Sequence, residues 1–347
     1  MEDLRAALTN LLKHAHKEMA STEGMRGRGW RRIYTDVCIL LAYADILDFS
    51  ASTDKVEDKV FPFSALSHLD HSIVIAGAPG DGRLDAILDL IDGIQEECLG
   101  SPPNHRRDAP FVAAVPPSPN PNPTSNSNST SNSVAAPLLS AEKSVLRLDT
   151  PPSLGTFIAR LSSRPFLLPG FLLDWPALNA HPWASLEYLR AAAGPGRVVP
   201  VEVGNDYRKD DWTQKMMPWD AFLASIEELE KQRDAGLSPG PLLYLAQHSL
   251  FNQFPALRED VIVPDYVYSD LPPPDDYPEY VPPTNDEHLV LNAWLGPAGT
   301  VSPAHTVGDV DLWIPALVLI FVDRVQGSVL QLLRTSRWPE DDMAGPP

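Results

Sequence analysis

Two cysteines, Cys38 and Cys98, are all that this 347-residue chain contains. That is too few for a disulfide framework, and they lack the paired spacing of a thiolate zinc site; both read as reduced, buried thiols. Long apolar runs are missing as well. The longest, LWIPALVLIFV at 312–322, falls far short of the roughly 20 residues that cross a bilayer, and Pro315 interrupts it. The opening MEDLRAALTNLLKHAHKEM starts with acids and lacks the basic-then-apolar layout of a signal peptide. These absences lead us to expect a soluble nuclear or cytoplasmic protein with no membrane partner. Positive charge is scarce too, with 27 Lys and Arg against 46 Asp and Glu for a net charge of -19. Direct nucleic-acid binding is disfavoured, because phosphates require clustered Lys and Arg. The sign suits a cationic partner such as an Arg- or Lys-rich peptide, and it equally suits a surface that merely keeps the protein dissolved.

What is present changes character along the chain. The first hundred residues carry apolar side chains at helical spacing, in LRAALTNLLKHAHKEM, WRRIYTDVCILLAYADILDF and RLDAILDLIDGIQEECL. Residues 101–137 are rich in Pro, Ser and Asn and nearly free of large apolar side chains, so they cannot bury enough surface to offset their ordering entropy. This segment reads as a disordered linker. From about Leu138 short β-prone runs alternate with Pro, Gly and a few helical patterns: RPFLLPGF, RVVPVEVG, PLLYLAQ and HLVLNAWLG. PWDAFLASIEELEKQRDAG reads as a helix closed by Gly236. The mixture suggests an antiparallel barrel with helical decoration.

Four stretches carry candidate chemistry. IVIAGAPGDGRLDAILDLI imitates the strand, glycine loop and helix of a phosphate cradle, with Gly77 and Gly82 correctly spaced. Arg83 and Leu84 stand where the lysine and hydroxyl belong, so the stretch reads as a turn before a helix. In VPVEVGNDYRKDDW, alternation sets Val199, Val201 and Val203 on one strand face and Glu202 on the other. A lone strand Glu is ordinarily just solvated. Followed by Tyr207, Asp210, Asp211 and Trp212, it is also a candidate wall for a guanidinium or ammonium group. In YLAQHSLFNQFPALREDVIVPDY, alternation sets Tyr244, Ala246 and His248 on one face and Leu245 and Gln247 on the other. AWLGPAGTVSPAH leads a strand into a Ser-Pro-x-His turn. His-x-Asp on a strand supplies two ligands of a 2-His-1-carboxylate iron site, because alternate residues project the same way.

Taken together, RPFLLPGFLLDWPAL, VPVEVGNDYRKDDW, YLAQHSLFNQFPALREDVIVPDY and LNAWLGPAGTVSPAH resemble a JmjC (jumonji C) domain over roughly 144–305, preceded by a loosely similar helical region. The likeness is to the subgroup described as peptidyl-arginine hydroxylases and proposed as histone lysine demethylases. It implies an α+β chain: a helical N-terminal region followed by a cupin-like jelly roll, the double-stranded β-helix. It also implies an Fe(II)- and 2-oxoglutarate-dependent dioxygenase acting on a basic protein or peptide, a histone or another Arg/Lys-rich protein. By that resemblance His305 is an iron ligand, Ser302 and Tyr244 hold 2-oxoglutarate, and Glu202, Gln247 and Trp294 shape the substrate pocket. Glu202 is the natural counter-charge for an arginine.

The departure from the pattern is sharp. Val307 stands where the resemblance demands Asp, no histidine follows His305, and the only later basic residues are Arg324, Arg334 and Arg337. Asp309 and Asp311 share the strand parity of His305 but lie one or two repeats further, at roughly 7 Å per two residues. Shifting the implied codons by one base from Gly327 onward permits a JmjC-like reading, in which Trp338-Pro339 forces a Gly and Met343-Ala344 forces a Trp. Residues 307–347 therefore read as an aberrant tail, translated intron followed by exon out of frame. The expected organisation is a helical region at 1–100, a linker at 101–137, a partial JmjC domain at 138–306 and that tail. An incomplete barrel leaves unpaired edges and no complete metal triad, so this form is expected to be unstable and inactive. The rival expectation is a non-catalytic module that binds a basic partner.

Overall fold

A computed structural model describes residues 2–21, 24–54, 57–101, 145–162, 166–204, 212–237, 240, 242–269, 291–297 and 300, together with the backbone of strands at 317–321 and 329–333. The chain divides into two compact units. One comprises Met1–Ala109, Ser185–Val261 and Pro282–His305; the other comprises Pro110–Ala184, Ile262–Val281 and Thr306–Pro347. The expected linker falls outside the described residues, apart from Ser101.

The first unit opens with four helices, α1 (Glu2–Ser21), α2 (Gly24–Ala51), α3 (Val60–Ala76) and α4 (Arg83–Leu99). Glu2 and Asp3 occupy the first turn of α1, where free backbone N–H groups favour negative charge. Helical spacing gathers Leu66, Leu69 and Ile73 of α3 with Ile87, Ile91 and Ile94 of α4 and Ala42 of α2 into one apolar cluster. Between α3 and α4 the phosphate-cradle lookalike is a helix stop. Gly77 adopts φ 75°, its N–H donates to Ile73 O at 2.9 Å, and the Ala78 N–H donates to Ser72 O at 3.0 Å. Ile73–Ala76 is thus the last turn of α3 rather than a strand, and Arg83 ion-pairs with Asp36. Cys38 is buried and Cys98 half-buried, neither in a disulfide, and burial pushes the Cys38 thiol up to about 12.

Helix α5 (Leu186–Ala193), capped by the Ser185 hydroxyl accepting from Tyr188 N–H, leads into a four-stranded sheet. The sheet consists of β3 (Val198–Val203), β4 (Thr213–Pro218), β5 (Leu243–His248) and β6 (Ala293–Leu295), in the order β4-β3-β5-β6 with every neighbour antiparallel. Helix α6 (Trp219–Asp234) links β4 to β5 and buries Trp219, Phe222, Leu223 and Ile226. Gly236 closes it at φ 69°, as its place in the sequence suggests. Val199, Val201 and Leu245 are fully buried and form the dry face of the sheet.

Polar groups tie the helices to this sheet. Gln95 of α4 donates to Ala193 O at 3.2 Å and to Pro195 O at 2.8 Å. It lies so close to Gly194 that any Cβ there would overlap its amide. Asp70 of α3, wholly buried, accepts from Arg197 Nε at 3.1 Å, from an Arg197 terminal nitrogen at 2.7 Å and from the Val198 N–H at 2.8 Å. Gln253, in the short helix α7 (Leu250–Gln253), donates to Asp70 at 2.7 Å and to Val198 O at 2.6 Å. With its NH2 spent on two acceptors, the Gln253 carbonyl oxygen faces His248 Nε2 at 2.7 Å. His248 is therefore the Nε2–H tautomer. The Arg197 guanidinium also lies 4.7 Å from the centre of the Phe254 ring.

The second unit holds β1 (Leu146–Arg147), β2 (Phe166–Pro169), β7 (Leu317–Phe321) and β8 (Val329–Leu333), in the order β1-β2-β8-β7. The β1–β2 pair is parallel and the other two are antiparallel. Around β2, Phe157 packs against Phe166 at 6.2 Å and Tyr266 at 4.9 Å, and the Tyr266 hydroxyl donates to Pro152 O at 2.5 Å. The described residues thus combine a helical N-terminal region with predominantly antiparallel sheet, an α+β chain.

Candidate functional site

Register decides which side chains meet on the sheet of the first unit. Glu202 pairs with Gln214 of β4 on one side and with Tyr244 of β5 on the other. Paired residues share a face. Leu295 of β6 pairs with Leu245, so Trp294, one residue away, stands on the face opposite Leu245, the face of Tyr244. Gln214, Glu202 and Tyr244 therefore form one row, which the register continues to Gly296, and Trp294 stands on the same face two residues along β6. Four residues from four strands thus share the face: Gln214, Glu202, Tyr244 and Trp294. Three of them are residues singled out from the sequence. Gln214 was not, because only the hairpin register brings it beside Glu202.

The Trp212 indole N–H donates to a Glu202 carboxylate oxygen at 3.3 Å. Glu202, Tyr244 and Trp294 are all half-buried, with the carboxylate held between aromatic side chains and partly open to solvent. The Tyr244 ring lies over Gly296: a Cβ there would come within 2.8 Å of its ring carbon and 2.7 Å of Thr300 Oγ1. Only glycine fits there. A half-buried carboxylate beside aromatic side chains can attract a guanidinium or ammonium group by charge and by hydrogen bonds.

Gln247 sits differently from the alternation expected of β5. Leu245 pairs with Leu295 and His248 with Ala293, so three steps along β5 match two along β6. The extra residue forms a bulge, and Gln247 takes φ 47° within it. Parity flips after the bulge. His248 thus lies on the dry face with Leu245 and is buried, a correction to the expectation that it shares the face of Tyr244. Burial lowers its pKa below the ordinary histidine value, against opposing pulls from the Gln253 hydrogen bond and the Asp70 charge. Gln247 is left exposed at the rim, its αL backbone fixed between the buried anchors Leu245 and His248.

Ser302 and His305 lie outside the described residues, as do Val307, Asp309, Asp311, Tyr207, Asp210 and Asp211. Among the described residues no group of three or more His, Cys, Asp and Glu side chains is placed to hold a metal ion. The donor set legible in the sequence supplies His305 with neither the Asp two residues on nor any later histidine. These residues do not fit a 2-His-1-carboxylate iron centre. Among the described residues no helix is long and apolar enough to cross a membrane.

Sequence reasoning missed the Asp70–Arg197–Gln253–His248 network. The signal was present, in an arginine opening the apolar strand RVVPVEV and an aspartate inside the apolar helix ALSHLDHSIVIA.

Comparison with known proteins bears on this face. Residues 159–307 match the cupin-like domain family. The chain is 29% identical over 281 residues to lysine-specific demethylase 8 of Danio rerio, covering 80% of this chain and 58% of that protein. It is 40% identical over 156 residues to Jumonji C domain-containing protein 5 of Drosophila melanogaster, 44% of this chain and 34% of that one. With lysine-specific demethylase JMJ30 of Arabidopsis thaliana it shares 39% identity over 145 residues, 42% of this chain and 28% of that one. The matches thus span between 28% and 58% of the length of these relatives.

Proposed function

Since the chain carries a cupin-like domain of the JmjC family, we propose that the face built by Gln214, Glu202, Tyr244 and Trp294 receives a cationic side chain of a protein substrate, with Glu202 as its counter-charge. In the intact family chemistry an Fe(II) ion with 2-oxoglutarate would supply the oxidation of that side chain, by hydroxylation or demethylation. The single observation that carries the reading is the Glu202 carboxylate, set on a strand between the Trp212 indole and the Tyr244 ring. Its aromatic surroundings favour a flat guanidinium or an alkylated ammonium over a fully hydrated ion. Tyr244 and Ser302 are the residues proposed for 2-oxoglutarate, and Gln247 and Trp294 complete the rim around the substrate.

The residues at hand separate binding from chemistry. With His305 as one donor and Val307 in place of the carboxylate, the 347-residue form binds its cationic target and does not turn over. The tail at 307–347 is proposed to be an aberrant translation product. Isothermal titration of this chain with an Arg-rich peptide, its Lys-rich counterpart and a Gln-substituted control tests the binding. A preference of at least tenfold for the cationic peptides is expected, lost in Glu202→Gln. Equal affinity for the Gln control sinks the proposal. Iron-dependent conversion of 2-oxoglutarate to succinate by the 347-residue form would overturn the inactivity. A transcript that encodes Val307–Pro347 as its dominant form would overturn the reading of the tail.

A further inference from the structure

Proline stands inside a central strand of the first unit. β3 has β4 on one side and β5 on the other, and Pro200 lies within it. Proline is ordinarily confined to edge strands, because it brings no N–H to a ladder. Two bonds show which ladder lacks it. The Arg197 carbonyl accepts from the Trp219 N–H at the end of β4, and the Gly204 N–H donates to Leu242 O at the start of β5. Backbone groups of alternate residues leave an antiparallel strand on the same side, so Val198, Pro200 and Glu202 all turn theirs toward β5.

The ladder between β3 and β5 ends before it reaches the proline. It pairs Val203 with Leu243 and Glu202 with Tyr244, although the same register would go on to set Pro200 against Ala246 and Val198 against His248. β5 meanwhile stays paired with β6 as far as His248. At Val198 side chains replace the missing rung. The Val198 N–H donates to Asp70 at 2.8 Å, its carbonyl accepts from the Gln253 amide at 2.6 Å, and the Gln253 carbonyl faces the His248 Nε2–H at 2.7 Å. Gln253 and His248 are both buried. Gln253 thus bridges two strands that their backbones leave apart. The bulge falls at the same point, with Gln247 at φ 47° immediately before His248.

We infer that Gln253 and His248 are positioning residues for the face of Glu202 and Tyr244: their side-chain rung sets how far β5 stands from β3 and holds the bulge, which fixes Gln247 at the rim and Tyr244 beside Glu202. The inference rests on the cation-binding reading of that face. Val198 lies four residues from Glu202 along β3, and His248 four from Tyr244 along β5, so the rung and the Glu202–Tyr244 pair close the two ends of one opening in the sheet.

His248→Leu breaks the rung at its β5 end and leaves Gln253 bonded to Asp70 and Val198, so α3 and β3 keep their anchors. His248→Gln is the conservative variant, since its amide N–H restores a donor to Gln253. Hydrogen exchange of the full chain, followed segment by segment, is the first readout. β5 should exchange about fivefold faster or more in His248→Leu, the scale set by an unpaired buried carbonyl, and at the native rate in His248→Gln, with α3 and β4 unchanged in both. The second readout is isothermal titration with the Arg-rich peptide at a temperature where each variant is folded. Affinity should fall by a similar factor in His248→Leu and recover in His248→Gln. A role in stability alone would lower the denaturation midpoint and leave that affinity untouched, and this result overturns the inference, as does native exchange of β5 in His248→Leu. Glu202→Gln separates the two readings. Unchanged peptide affinity in Glu202→Gln fells the cation site, while faster exchange of β5 in His248→Leu still establishes the rung; binding lost in Glu202→Gln but intact in His248→Leu fells the rung and leaves the cation site standing.

Discussion

Two carboxylates touch strand β3, and they use their charge in opposite ways. Asp70 is wholly buried, and its two oxygens accept from Arg197, the Val198 N–H and Gln253, so nothing is left over for a ligand. Glu202, four residues along the same strand from Val198, is half-buried and accepts from the Trp212 indole N–H. The first has spent its field on architecture. The second, in the role proposed for it, keeps its field for a cation that enters beside Trp212 and Tyr244. A buried ion pair holds geometry because breaking it strands a charge in a poor solvent, and a partly solvated carboxylate recognises a cation because little must be undone first.

The sharpest way to break this comparison is Asp70→Ala. It leaves the Arg197 guanidinium buried without a counter-charge and should cost about 3–5 kcal/mol in chemical denaturation, with much of the chain unfolded at ordinary temperature. Glu202→Gln should leave the denaturation midpoint nearly unmoved and lower affinity for an Arg-rich peptide by tenfold or more, read by isothermal titration. If the two variants lose stability alike, the proposed division of labour fails.

Acid sharpens the contrast further. Burial lowers the pKa of His68 and of His248, so each binds its proton less readily folded than unfolded. Their contribution to stability is complete above the ordinary histidine value near 6.5 and falls as pH drops through the lowered folded values, because the unfolded chain takes up more protons. Urea midpoints measured from pH 7.5 down to pH 5 should therefore decline. His248→Gln, which keeps a donor for the Gln253 carbonyl, should flatten that slope; an unchanged slope would show that His248 carries none of it. The smallest effect belongs to the bulge. Gln247→Gly relieves a left-handed non-glycine backbone and should gain about 1 kcal/mol of stability while weakening peptide binding through loss of the rim amide. A loss of stability in that variant would mean that the side chain, not the backbone, secures the bulge.

The helices of the first hundred residues were legible because apolar residues recur with the helical period, and that period is a local property of the chain. The alternation of β3 was legible for the same reason, and Val199 and Val201 against Glu202 stand as alternation requires. The strand-like look of Ile73–Ala76 misled because four apolar residues fit either period; packing against α2 and α4 and the Gly77 cap decided for helix. On β5 alternation failed at one residue. A bulge is set by the partner strand, and β6 lies far away in sequence.

By itself, the sequence determined the helical N-terminal region, the α+β character, the JmjC-like blocks and the acidic strand residue Glu202, all of which depend on neighbours within a few positions. Only the tertiary structure decided that Gln214, Glu202, Tyr244 and Trp294 share one face of the sheet, that His248 turns inward, and that Asp70 meets Arg197 across 127 residues. Those outcomes depend on register and on the satisfaction of buried charge, and both are fixed only when distant segments pack together.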